Sequence, residues 1–214
     1  MNWKKECFKN FKLYGITDVK GDGGTILNQI AKAFEGGVDI VQLRSKTLMD
    51  ASLIRLGLKV RKIANQYRKL FIVNDRVDLA LAVEADGVHL GQDDMPLALA
   101  RRLVRAPMIF GKSTHSLRQA IQAKREGADY IGFGPIFSTP TKLNYAPIGS
   151  GEIEAVHKQM SLPIVCIGGI NQSNIEQILA AGAKRVAVVR AIFSAPQPKQ
   201  AAHLLKKIIE QSNF

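Results

Sequence analysis

Glu126-Gly-Ala-Asp129 joins a helical pattern that opens at Ser116 to the apolar run Tyr130–Phe133. Glycine at such a joint can take the left-handed backbone that ends a helix. The same punctuation recurs in Glu35-Gly-Gly-Val-Asp39, ahead of Ile40–Leu43, and in Ala181-Gly-Ala-Lys184, ahead of Arg185–Val189. Three copies of one helix-to-strand joint point to a single strand–helix unit used repeatedly.

Working outward, apolar β-rich runs stand at Leu13–Thr17, Ile40–Leu43, Leu70–Asn74, Gly87–Leu90, Ile109–Ser113, Tyr130–Phe133, Pro163–Ile167 and Arg185–Val189. They are continuously apolar rather than alternating, as expected where both faces of a parallel strand are buried. Helix-length stretches separate them. The clearest is 48–67, with Leu53, Leu56, Val60, Ile63, Ala64 and Tyr67 on one stripe. Another opens at Ser116, a candidate N-cap, and carries Leu117, Ala120 and Ile121. A third opens at Asp94, with Pro96 early in its first turn. Alternation through the whole chain means a parallel sheet. Eight units in 214 residues give a (β/α)8 TIM-type barrel with short loops; an open doubly wound sheet is the alternative. No linker is visible, so residues 1–214 are expected to form one catalytic domain, with 1–11 an N-terminal extension or a first helix. The one long irregular stretch, Gly134–Gly149, follows the sixth run and is a candidate functional loop.

Composition narrows the class. Hydrophobic residues are 46% and charged residues 22%, enough for a real core and unlike a disordered chain. Cys7 and Cys166 are far apart and outside any metal-ligand spacing, which suits a reducing compartment. Cys166, within Pro163–Ile167, reads as a small buried hydrophobe. No apolar run reaches the roughly 18 residues of a spanning helix, so a cytoplasmic protein without a membrane role is expected. The net charge is +12. Its cations are spread along helix faces, as at Arg55, Lys59, Arg61, Lys62 and Arg68, rather than interleaved with aromatics. That argues against nucleic acid and for anionic ligands or a solvated surface.

In such barrels the site forms at the C-terminal strand ends. After the second run, Gln42, Arg44 and Lys46 alternate and face one way if the strand continues. Two cations there suit phosphate or diphosphate, although a solvated strand end has the same look. Asn74-Asp75-Arg76 and Gly91-Gln-Asp-Asp94 follow the third and fourth runs. Carboxylates from neighbouring strand ends can hold a hard cation whose shell is completed by substrate phosphates. Equally, Asp75 and Asp94 read as helix N-caps. Ser113, Thr139, Thr141 and Lys142 form a second polar, cationic patch, with Thr139 and Thr141 also readable as ordinary loop residues. Gly168 and Gly169 allow backbone N–H groups close to a phosphate, and Arg190 follows the eighth run. His89 and His115 stand near strand ends, where a lone histidine is more often structural. Cations and phosphate donors outnumber acid–base groups, which favours electrostatic removal of a leaving group over proton abstraction.

The ordered set Leu13-Tyr-Gly-Ile-Thr-Asp18, Val41-Gln-Leu-Arg-Ser-Lys46, Val73-Asn-Asp-Arg76, Ala85-Asp-Gly-Val-His-Leu-Gly-Gln92, Gly134-Pro-Ile-Phe137, Thr139-Pro-Thr-Lys142 and Ile167-Gly-Gly-Ile170 resembles the thiamine phosphate synthase family over nearly the whole chain. The resemblance implies a Mg2+-dependent barrel transferase. It would condense 4-amino-2-methyl-5-hydroxymethylpyrimidine diphosphate with a thiazole phosphate, giving thiamine phosphate and diphosphate. Gln42, Arg44, Lys46, Asn74, Ser113 and Lys142 would bind the pyrimidine diphosphate, with Arg44, Lys46, Ser113 and Lys142 closest to the chemistry. Asp75 and Asp94 would hold Mg2+. Thr139, Thr141, Gly169, Val189 and Arg190 would line the thiazole phosphate side. Partners would be phosphorylated small molecules, with a homo-oligomer compatible. Two departures stand out: Arg190 where the family pattern has serine, and Ser150-Gly151 where an apolar residue is expected. The rival readings are a thiazole tautomerase, which would not need the whole diphosphate set, another phosphate-binding barrel such as an epimerase or lyase, and a noncatalytic ligand-binding regulator.

Overall fold

The computed structural model describes residues 3–21, 23–139 and 146–212. Eight parallel strands close on themselves: β1 (Leu13–Ile16), β2 (Ile40–Leu43), β3 (Leu70–Asn74), β4 (Gly87–Leu90), β5 (Ile109–Thr114), β6 (Tyr130–Phe133), β7 (Ile164–Ile167) and β8 (Val186–Val188). The ring closes where Leu13 of β1 pairs with Val186 of β8. The closed ring excludes the open sheet. All eight expected runs are strands; β1, β7 and β8 are slightly shorter than their apolar runs, and β5 is one residue longer.

Their continuous apolarity has a two-sided cause. Leu13, Val41, Phe71, Val88, Phe110 and Ile131 face outward into the layer beneath the helices. Tyr14, Ile16, Ile40, Leu70, Ile72, Tyr130, Val165 and Ala187 fill the barrel interior. Cys166 lies in the outer layer, fully buried, and burial pushes its thiol pKa up to about 12. It is the inert apolar cysteine its sequence setting implies.

The helices are α1 (Trp3–Asn10), α2 (Ile26–Glu35), α3 (Asp50–Gln66), α4 (Val77–Ala82), α5 (Leu97–Leu103), α6 (Leu117–Arg125), α7 (Glu152–Gln159), α8 (Ile175–Ala180), α9 (Arg190–Phe193) and α10 (Pro198–Gln211). Within the expected N-terminal segment 1–11, the described residues form α1 and a short link to β1. Trp3, Cys7 and Phe8 pack on the interior cluster, so α1 closes the mouth at the strands' N-terminal ends. Ser116 caps α6 by accepting the Gln119 N–H. α3 buries Leu56, Val60 and Ala64 of the expected stripe, with Leu53, Ile63 and Tyr67 half-buried against the core, but it also buries Arg61. Arg61 was grouped with solvated helix cations; it is buried instead, 2.7 Å from both Asp86 and Asn65.

α5 starts at Leu97, not Asp94. Pro96 is extended at φ −54°, ψ 133° and becomes the N-cap. Asp94 turns back to accept the Gly91 N–H at 2.6 Å. The joint glycines behave as expected, with φ of 103° at Gly37, 92° at Gly127 and 95° at Gly182. Two further joints use the same left-handed turn without glycine, at Arg68 and Glu84, at a cost of about 1–2 kcal/mol each.

Candidate active site

The C-terminal strand ends surround one cavity, built from the next inward-facing position of each strand. β2 supplies Gln42 and, just beyond it, Arg44; β3 supplies Asn74, β4 His89 and β5 Ser113. Across from them stand Thr139, Gly169, Val189 and Arg190. Eight of the residues to which the family resemblance gives a substrate role therefore meet on one surface. Arg190, the departure after β8, lines the cavity.

Others fall elsewhere. β2 ends at Leu43, so the alternation stops before Lys46, which is exposed on a bend. Lys46, Asp75 and Asp94 are not among the described lining residues. Asp75 is no helix cap: α4 is preceded by Arg76, whose side chain makes no cap bond. Asp75 has φ 64°, and its N–H donates to the His89 carbonyl at 2.8 Å. That bond ties the end of β3 to β4, the strand whose exit carries Asp94. Thr141 and Lys142 lie outside the described residues.

Arg44 is 6% exposed, and its guanidinium is ion-paired with Asp18. The Thr17 hydroxyl accepts the Arg44 N–H at 2.9 Å and donates to the Arg44 carbonyl, so both backbone and side chain of Arg44 are fixed from β1. Neither Thr17 nor Asp18 had been singled out as a site residue; their only signal was membership of the Leu13–Asp18 motif. Lys112, also missed, is buried and donates to the Gly91 carbonyl at 2.6 Å, holding the loop between β4 and α5.

The glycine pair is required by space. Gly168 and Gly169 have φ of 104° and 65°. A Cβ on Gly169 would lie 2.6 Å from the Ser138 carbonyl oxygen, and one on Gly168 would lie 2.5 Å from Pro135. The Gly169 carbonyl accepts from the side-chain amides of Asn171 and Asn174, which fixes the peptide at the cavity wall. The loop after β6 folds over this pair: Phe137 N–H donates to the Gly168 carbonyl, and Ile148 N–H to the Pro135 carbonyl.

Both histidines near strand ends line the cavity. His115 contacts the Gly134 carbonyl through Nδ1. His89 bridges inward and outward, with Nδ1 3.0 Å from the Tyr130 hydroxyl and Nε2 2.9 Å from Ser113 Oγ. Tyr130 in turn lies 2.9 Å from the Tyr14 hydroxyl, which accepts Gln42 Nε2 at 2.8 Å. Burial raises both phenol pKa values well above the usual tyrosine range.

Fold and site together define a (β/α)8-barrel enzyme whose cavity offers hydrogen-bonding side chains on one flank and glycine backbone with an arginine on the other. The family model described as thiamine monophosphate synthase matches residues 13–192. The thiamine-phosphate synthase of Shouchella clausii is 40% identical over 96% of this chain and 99% of its own length. That of Chloroflexus aurantiacus is 45% identical over 94% of this chain and 93% of its own. A thiamine phosphate pyrophosphorylase structure from Pyrococcus furiosus superposes with TM-score 0.87 at 36% identity, covering 98% of this chain and all of that one. The chain belongs to the thiamine-phosphate synthase family, and is a transferase of that type acting in thiamine biosynthesis. A 3-hexulose-6-phosphate synthase structure, at TM-score 0.70 and 18% identity, shares the barrel alone. Among the described residues no helix is long and apolar enough to cross a membrane.

Proposed function

We propose that the described cavity is where 4-amino-2-methyl-5-hydroxymethylpyrimidine diphosphate meets a thiazole phosphate, giving thiamine phosphate and diphosphate. The observation that carries this is the division of one cavity into two flanks. Gln42, Arg44, Asn74 and Ser113 form a flank of amide, hydroxyl and cation, suited to a heteroaromatic ring with a diphosphate. Thr139, Gly169, Val189 and Arg190 form the opposite flank, suited to the second phosphate. The acceptor's ring nitrogen would then face the pyrimidine's exocyclic methylene.

The bond to diphosphate breaks first in this reading, and the aminopyrimidine delocalises the positive charge left on its methylene. The thiazole nitrogen supplies the electron pair of the new bond, so no strong protein base is needed. The protein's contribution is positioning and charge stabilisation. Arg44, with Lys46 and Lys142, would take the charge that collects on the departing diphosphate. Asp18 holds the Arg44 fork in place before substrate arrives.

Asp75 and Asp94 would hold Mg2+. Both are hard oxygen donors, one exposed and one half-buried, at the exits of adjacent strands. Two carboxylates form an incomplete shell, as is usual where substrate phosphates complete it. Bound there, the ion would supply positive charge to the diphosphate. The same reading treats the whole chain as one catalytic unit in the cytoplasm.

The test is diphosphate release by purified protein, with omission of each substrate and of metal. Release that needs both substrates and Mg2+, with thiamine phosphate formed in equal amount, supports the reading. Release from the pyrimidine diphosphate alone at the same rate, or none in any combination, overturns it.

A further inference from the structure

Gln42, Tyr14, Tyr130, His89 and Ser113 form one unbroken hydrogen-bonded chain beneath the cavity, with contacts of 2.8, 2.9, 3.0 and 2.9 Å. Both ends, Gln42 and Ser113, are cavity residues. The middle is buried: Tyr14 and Tyr130 are each 1% exposed. Such a chain has a direction, set by what each atom can do. An amide nitrogen only donates, so Tyr14 Oη accepts from Gln42. Each phenol, kept neutral by burial, has one proton to give. The Tyr14 proton has the Tyr130 oxygen as its acceptor. Tyr130 then gives its own proton to His89 Nδ1. The neutral imidazole therefore carries hydrogen on Nε2 and donates to Ser113 Oγ. Reversing the direction makes Tyr14 accept twice and strands its proton in the interior, which buried donors avoid. An imidazolium at His89 would make Nδ1 a donor to Tyr130 and leave one of the two phenol protons without an acceptor in this chain.

Space is reserved for this junction. A Cβ on Gly111 would lie 2.2 Å from Tyr130 Cζ and 2.4 Å from His89 Nδ1, and one on Gly132 would lie 3.2 Å from His89 Cε1. Glycine weakens a strand interior; here two adjacent strands carry it where the rings meet.

We infer that Tyr14, Tyr130 and His89 are positioning residues that fix hydrogen-bond polarity at the two ends of the pyrimidine flank. Ser113, accepting from His89, turns its proton into the cavity as a donor. Gln42, its nitrogen engaged by Tyr14, presents Oε1 as an acceptor. An acceptor and a donor in this fixed order suit a ring bearing an amino group beside an unprotonated ring nitrogen. They oppose the 4-oxo analogue, whose carbonyl and ring N–H offer the reverse order. A site with fixed polarity rejects the wrong pattern strongly, because its own groups would be left unpaired. This rests on the assignment of Gln42 and Ser113 to the pyrimidine diphosphate.

The tautomer is read first, by 15N NMR of histidine-labelled, substrate-free protein, with the His89 signal identified by its loss in His89→Asn. A pyridine-like Nδ1 and a protonated Nε2 are expected. Protonation at Nδ1 would overturn the polarity. The second readout is the ratio of kcat/KM for the 4-amino and 4-oxo pyrimidine diphosphates. Tyr130→Phe should lower that ratio at least tenfold, with the thiazole phosphate KM changed less than twofold. A ratio unchanged in Tyr130→Phe would reduce these residues to packing. The NMR result needs no substrate, so a failure of the proposed reaction and a failure of this inference are separable.

Discussion

The two ends of the barrel use charge in opposite ways. At the N-terminal ends of β2, β4 and β6 stand Asp39, Asp86 and Asp129, each directly before its strand. Asp39 accepts the N–H groups of Lys12 and Leu13, Asp86 that of Phe71, and Asp129 that of Phe110. Each carboxylate also has a base: Lys69 and Lys206 at Asp39, Lys4 and Arg61 at Asp86, and Arg101 at Asp129. These charges are satisfied within the chain and tie neighbouring strands and helices. At the C-terminal ends the donors converge on a cavity; of its lining arginines Arg44 is held by an ion pair with Asp18, while Arg76, outside the lining, pairs with Asp50 and Asp78. One end is finished by folding, whereas the other is to be finished by ligand. In barrels this division separates stability from function.

Substitutions should respect it. The largest effect is expected from Asp86→Ala, which leaves buried Arg61 without its ion-pair partner and frees the Phe71 N–H. Breaking a buried pair costs about 3–5 kcal/mol, read as a fall in the urea midpoint, while the folded fraction keeps its kcat. A kcat loss without a stability loss would erase the division. Next is Asp75→Asn, which keeps a residue tolerant of the left-handed backbone. Turnover should fall about 100-fold, on the scale of one lost transition-state contact, with thermal stability unchanged. Wild-type turnover at low Mg2+ would remove Asp75 from metal binding.

The smallest effect is acid sensitivity at the N-terminal end. Burial alone would raise the Asp39 pKa, but the charges of Lys206 and Lys69 and the Lys12 N–H outweigh it and hold it below the usual value. A carboxylate depressed in the folded state adds stability above its unfolded pKa, near 4. That stability is lost as pH falls through the lower folded value. The melting temperature should therefore begin to drop below about pH 4, and Asp39→Asn should flatten that part of the curve. An unchanged slope would mean Asp39 carries none of it.

Much of this division was legible in the sequence, for local reasons. Continuous apolar runs mark strands buried on both faces, and glycine joints mark helix ends. The joints at Arg68 and Glu84 were not legible, because their left-handed turns are imposed by tertiary context on ordinary residues. Asp94 followed by Pro96 mimics a helix start; only the Gly91 N–H drawn to Asp94 reveals a loop. Arg61 looked solvated because its partner Asp86 is distant in sequence. The cavity-lining residues Gln42, Arg44, Asn74 and Ser113 were readable together, since strand order alone brings strand ends to one face, whereas Lys46, Asp75 and Asp94 fall outside the described lining. The chain beneath them was not, because Tyr14 and Tyr130 meet only through barrel closure.

The central claim is that one cavity holds two different substrates on opposite flanks. It is tested most directly by steady-state KM values for both substrates in Arg44→Gln and Arg190→Ser. The expected result is a crossed pattern. Arg44→Gln raises the KM for the pyrimidine diphosphate about tenfold or more, and Arg190→Ser does the same for the thiazole phosphate, on the scale of one charged hydrogen bond. Each should leave the other substrate's KM nearly unchanged. Two variants that raise the same KM, or an Arg190→Ser enzyme with an unchanged thiazole phosphate KM, would contradict the two-flank account.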